Sequence, residues 1–104
     1  MVVIILEKVP TTLKGDLSRW LTEIRPGVFL GHVSALVRDA LFERCRSRMR
    51  AGGVAMIAPA QTEQGFRVWT AGNLSREIYD HEGVYLVRER QVQVEVVDPS
   101  EPPF

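Results

Sequence analysis

One cysteine, Cys45, stands in a chain of 104 residues. A lone thiol forms neither an internal disulfide nor a thiolate-rich zinc site, so no covalent or thiolate staple supports this fold. Cys45 falls inside a helical pattern and reads as a buried, reduced thiol. Histidine is nearly as scarce: His32 and His81 lie on different segments, and the chain carries no G-x-x-x-x-G-K-S/T, G-x-S-x-G or H-E-x-x-H. The usual signatures of nucleotide-binding loops, acyl-transfer nucleophiles and zinc hydrolases are therefore missing. Long apolar runs are missing too. The longest at the start, Val2–Leu6, has five residues and no basic leader, against roughly 20 needed to cross a bilayer. The chain reads as soluble and cytosolic.

Net charge is also lacking, with 13 basic and 13 acidic residues, which argues against a protein that coats nucleic acid with its whole surface. The distribution is uneven. Residues 8–50 hold nine basic and four acidic groups (+5), residues 51–104 hold four basic and eight acidic (−4), and Glu7 supplies the remaining charge. A fold that separates these segments has a local electropositive surface. At this length one compact domain is expected, with a core workable but not generous for a monomer, so an oligomer is plausible from the outset.

What is present is a sequence of short, strongly patterned segments. Val2–Leu6 is unbroken and rich in β-branched residues, the mark of a central strand. Leu13, Leu17, Trp20, Leu21 and Ile24 form one stripe at a period of 3.6, predicting a helix from about Thr11 that stops before Pro26-Gly27. Gly15 inside that helix costs about 1 kcal/mol relative to alanine, which suggests a close approach by backbone or ligand. Val28–Leu30 predicts a second strand. Ser34 is an N-cap for a helix to about Arg50, with Val33, Val37, Leu41, Cys45 and Met49 along its buried side and Gly52-Gly53 ending it. Val54–Ala58 and Phe66–Thr70 read as a hairpin. A polar connector from Gly72 to Gly83 leads to a short strand, Val84–Val87; Val92, Val94 and Val96 could make another, and residues 98–104 read as a disordered end.

These elements predict an α/β sandwich, with the helices on one sheet face and the other face left partly apolar. Such a face needs a partner. The late strand is placed to reach across and pair with the edge of a second copy.

Candidate chemistry centres on Glu7, a carboxylate at the C-terminal end of a central strand, where α/β sheets bind ligands. Paired with Glu7 of a second copy it could hold Mg²⁺ against phosphate; alone it is a solvated acid at a strand end. His32 has nothing nearby in sequence to orient it as a base and reads as an ordinary strand-end side chain. Arg44, Arg46, Arg48 and Arg50 cannot form one stripe, because residues two apart diverge on a helix; they ring its C-terminal end, where the macrodipole favours cations. Lys14, Arg19 and Arg38 sit on or near the helices and could line one surface with Arg76. Trp20 and Trp69 each fall on the apolar phase of their element and read as core.

One long pattern goes further: Glu7-x-Val9-Pro10, Leu17-x-x-Trp20-Leu21-x-Glu23-Ile24-Arg25-x-Gly27-Val28-Phe29-Leu30-Gly31-x-Val33-Ser34-Ala35, with echoes at Thr62-Glu63-x-Gly65-Phe66 and Gly83-x-x-Leu86-Val87. In it the chain resembles, over about residues 1–88, the small CRISPR-associated adaptation proteins called Cas two, in the form found with type I-E systems. The resemblance implies a ferredoxin-like α/β sandwich, two helices on one face of a mainly antiparallel sheet, forming a homodimer with exchanged C-terminal strands. Residues 1–90 would make that domain, including the crossing strand, and residues 91–104 an extension that could dock on the integrase subunit Cas one. The implied role is spacer acquisition in antiviral defence: the dimer sits between Cas one dimers and holds duplex DNA, with Lys14, Arg38 and Arg76 on the family's DNA-binding positions. Thr12, Asp16, Leu36 and Ser75 stand where relatives often carry a base. Many relatives are also described as Mg²⁺-dependent endonucleases cutting single-stranded RNA or DNA. The resemblance makes Glu7 both catalytic residue and metal ligand, with His32 in place of an aspartate seen in close relatives.

Overall fold

The computed structural model describes residues 1–81 and 84–89. The chain runs β1 (Val2–Glu7), α1 (Thr11–Leu17), β2 (Thr22–Arg25), β3 (Val28–Gly31), α2 (Ala35–Arg48), β4 (Gly53–Pro59), β5 (Phe66–Gly72), β6 (Arg76–His81) and β7 (Val84–Glu89). Five strands form one sheet in the order β2-β3-β1-β4-β5, every neighbour antiparallel. The β-α-β-β-α-β core with β3 between β1 and β2 is the ferredoxin-like arrangement, and β5 extends it by one hairpin strand. Among the described residues the β6 and β7 strands pair only with each other, as a separate two-stranded ribbon.

Alternation along β1 sorts its two faces. Val2, Ile4 and Leu6 are buried against the helices with Phe29, Val54, Met56, Leu13, Leu17, Leu41 and Cys45. By pleat and register, Val3, Ile5, Val28, Leu30, Ile57 and Val68 share the opposite face, and all six are half-buried. The expected partly apolar second face is present. Along α2, Leu41 and Cys45 are buried and Val33, Val37 and Met49 pack beside them, as their spacing predicts. Ser34 caps this helix, its hydroxyl accepting the Val37 N–H at 3.2 Å.

Four expectations need correction. The first helix ends at Leu17 instead of continuing to Ile24, because Arg19, Trp20 and Leu21 donate their N–H groups into a tight turn onto Asp16 and Leu17 carbonyls. Residues 22–25 then form β2, hairpin-paired to β3. Leu21 closes the core at 4% exposure, while Trp20 at 56% and Ile24 at 53% point outward, so Trp20 is not a core residue. Trp69, by contrast, packs against the core as expected. Gly15 has nothing within 4 Å of where a Cβ would stand, so no backbone approach explains it. The connector after Gly72 is not all loop: Arg76–His81 is β6. A strand through Val92–Val96 and the 91–104 extension lie outside the described residues.

Candidate nucleic-acid interface and the strand-end carboxylate

Glu7 ends β1, and the chain then turns through Lys8 in a left-handed conformation (φ 53°). This corner lies against the α2–β4 turn so closely that a Cβ on Gly52 would be 2.2 Å from the Glu7 carbonyl oxygen. The end of β5 joins them: Gly72, at φ 76°, passes the Gly52 carbonyl, and the Asn73 N–H donates to that carbonyl at 3.0 Å. Only glycine lets three backbones meet here. The Glu7 side chain completes the junction. Its Oε2 accepts the Ser75 N–H at 2.7 Å and its Oε1 accepts the Ser75 hydroxyl at 2.8 Å. The carboxylate thus fixes the start of the segment that leads into β6.

Among the described residues no group of three or more His, Cys, Asp or Glu gathers in one place. Glu7 belongs to no such group among the described residues, and both its oxygens already serve Ser75. His32 is exposed.

The cations named by the sequence occupy three neighbourhoods. Lys14, half-buried on α1, borders a shallow depression with Glu23, Ile24, Arg25 and Pro26. Arg38 lies over the Trp69 ring, 5.3 Å from its centroid, and its Nε donates to Asp39 at 3.0 Å. Arg76 borders a cleft with Thr70, Leu74, Glu77, Ile78 and Arg88. Arg76 follows directly on Ser75, the residue that the Glu7 carboxylate holds.

Ion pairing explains where the charge of residues 8–50 goes. Asp16 takes Arg48 at 3.0 Å and Arg44 at 3.6 Å, Glu43 takes Arg46, and Asp39 takes Arg38. The Arg46 hydrogen bond holds the Glu43 carboxyl below the usual range. Glu23 accepts the Gly27 N–H at 2.9 Å, closing the β2–β3 turn. All four acids of this segment are thereby engaged. Lys8, Lys14, Arg19, Arg25 and Arg50 have no carboxylate within ion-pair distance among the described residues. The Asp16–Arg44–Arg48 bridge was legible only in part: Arg44 and Arg48, four apart, share a helical face, but their acceptor is on another helix.

A ferredoxin-like sheet with one helical face, an excess of cations confined to residues 8–50 and a strand-end acid bound to Ser75 define a small α/β domain. The model of a CRISPR-associated protein family, described as CRISPR-associated protein (Cas_Cas2CT1978), matches residues 1–86. The chain belongs to that family, and its role lies in CRISPR adaptation and defence. Among the described residues no helix is long and apolar enough to cross a membrane.

Proposed function

We propose that this protein is a dimeric scaffold that holds duplex DNA through phosphate contacts beside the integrase subunit Cas one during spacer acquisition in the cytoplasm. The observation that carries this reading is the engagement of all four acids in residues 8–50, which leaves five cations of that segment with no carboxylate partner among the described residues and open to phosphate. Lys14 belongs to that set, whereas Arg38 shares an exposed carboxylate that phosphate can replace. The half-buried apolar row of Val3, Ile5, Val28, Leu30, Ile57 and Val68 supports a second copy seated on the open sheet face. The β6–β7 segment supplies the arm for strand exchange.

Binding of this kind has little sequence preference and weakens linearly with the logarithm of salt, by about 0.9 per phosphate neutralised. The test is duplex affinity by fluorescence anisotropy across salt concentrations, with sedimentation to establish the dimer. Lys14→Ala with Arg38→Ala lowers both affinity and salt slope if the reading is right. Unchanged affinity, or a monomer that ignores duplex even beside Cas one, overturns it.

The competing reading is a Mg²⁺-dependent nuclease with Glu7 as its ligand, supported by the position of Glu7 at a strand end, where a dimer could bring two carboxylates together. It requires cleavage that chelator abolishes. DNA integration retained by Glu7→Ala alongside Cas one would separate holding from cutting.

A further inference from the structure

We infer that Asp16 is an internal phosphate mimic: it occupies the Arg44–Arg48 pair, and duplex DNA must compete with it for those guanidinium groups. This deepens the scaffold reading and rests on it. Three observations carry it.

The bridge joins residues from different helices. Asp16 on α1 meets Arg44 and Arg48 on α2 across 28 and 32 positions of sequence, with its Oδ2 serving both guanidiniums. The other pairs of residues 8–50 are local, Arg38 with its neighbour Asp39 and Arg46 with Glu43 one turn away. Among the described residues only Asp16 holds two cations on one carboxylate, so this trio carries a net positive charge.

Both guanidiniums are open to solvent, at 47% and 58% exposure, while the acid between them is at 28%. A guanidinium has five N–H donors in a planar fork, and Asp16 occupies few of them. The fork matches phosphate oxygens in bidentate geometry. Arg44 and Arg48 sit in the last turns of α2, where the unsatisfied carbonyl end favours retained positive charge.

Exposed ion pairs are weak, with a median contribution of about 0–1 kcal/mol. A bridge of that strength is exchangeable. A DNA phosphate offers the same charge with more acceptor oxygens and, as part of a polyanion, gains from counterion release that Asp16 does not have. Asp16 therefore sets the affinity of this patch without being needed for the fold.

The experiment measures duplex affinity against salt for the full-length protein, Asp16→Asn, Arg44→Gln/Arg48→Gln, and the triple variant, with Glu63→Gln as a charge-matched control on the exposed loop. Asp16→Asn is expected to tighten binding by about threefold or more near 0.1 M salt and to steepen the salt slope by about one phosphate contact, about 0.9. That gain should vanish in the triple variant and be absent from Glu63→Gln. A gain that persists without Arg44 and Arg48, or that the control reproduces, overturns the inference, as does no gain while the parent still binds through Lys14 and Arg38. If neither parent nor Asp16→Asn binds duplex at low salt, the scaffold reading itself fails. Circular dichroism melting confirms that each variant folds.

Discussion

Glu7 and Ser75, separated by 68 residues, are joined by two hydrogen bonds in which one carboxylate receives both the backbone N–H and the hydroxyl of the serine. A strand-end acid that looks like a metal ligand in sequence is, in the folded chain, the anchor of the segment leading to β6. Hydrogen bonds to a charged acceptor contribute about 1.5–3 kcal/mol where shielded and less where exposed. Glu7→Ala should therefore cost about 1–2 kcal/mol, lowering the melting temperature by about 4–8 °C per kcal/mol. Ser75→Ala, which keeps the N–H bond, should cost less. Amide exchange at residues 73–76 should accelerate in both. If cleavage activity is found, its retention in Ser75→Ala and loss in Glu7→Ala assigns Glu7 to the metal, whereas parallel losses assign it to the connector.

Two glycines respond in opposite directions. Gly15 lies in a helix with open space around its missing side chain, so Gly15→Ala should raise stability by about 0.5–1 kcal/mol in urea unfolding. Gly52→Ala places a Cβ 2.2 Å from the Glu7 carbonyl oxygen and 2.6 Å from that of Lys8. Both partners are backbone and cannot yield, so a loss of at least about 2 kcal/mol is expected. Equal behaviour of the two variants would contradict the packing at the junction.

Cys45 titrates in a region where few other groups report on the core. Burial pushes its thiol up from 9.0 to about 12, partly opposed by the Arg44 charge. The folded state therefore holds the proton more tightly than the unfolded chain. The associated stability is intact below pH 9 and is lost as pH rises towards 12. Urea midpoints measured at about pH 8 and about pH 11 should fall more steeply in the parent than in Cys45→Ala, which is less stable at both. The native thiol should also resist Ellman's reagent until the chain unfolds. Rapid labelling under native conditions would show that Cys45 is not sealed in the core.

The Arg38 guanidinium over Trp69 offers an optical probe of binding. In a Trp20→Phe background, Trp69 emission should shift on Arg38→Ala, with a stability cost of about 0.5–1 kcal/mol. Added duplex should move Trp69 emission in the parent and leave it unmoved in Arg38→Ala. A response identical in the two proteins would place the DNA elsewhere.

Much of the architecture is written in local pattern. The β-branched run of β1, the Ser34 cap, the four-residue spacing of Val33 to Met49 and the β4–β5 hairpin each follow from the periodicity of a single element, and each is found where that periodicity puts it. The segment from Leu17 to Arg25 is not of that kind. Its apolar stripe suits a helix as well as a turn followed by an edge strand, and its own residues do not choose. The choice is made by β3, which pairs with Thr22–Arg25, and by Leu6, whose N–H holds the Gly27 carbonyl at 2.7 Å to seat the turn.

The site divides in the same way. The amino-acid sequence by itself determined the family pattern, the excess of cations in residues 8–50 and the apolar faces that make a sheet with two helices, because these depend on composition and short-range spacing. Only the tertiary structure decided that Glu7 grips Ser75, that Asp16 binds Arg44 and Arg48, and that Arg38 lies over Trp69. Those contacts join residues 28–68 positions distant in the first two cases. They exist because glycine corners and packed helices bring distant backbones together, and no periodicity within one element encodes that meeting.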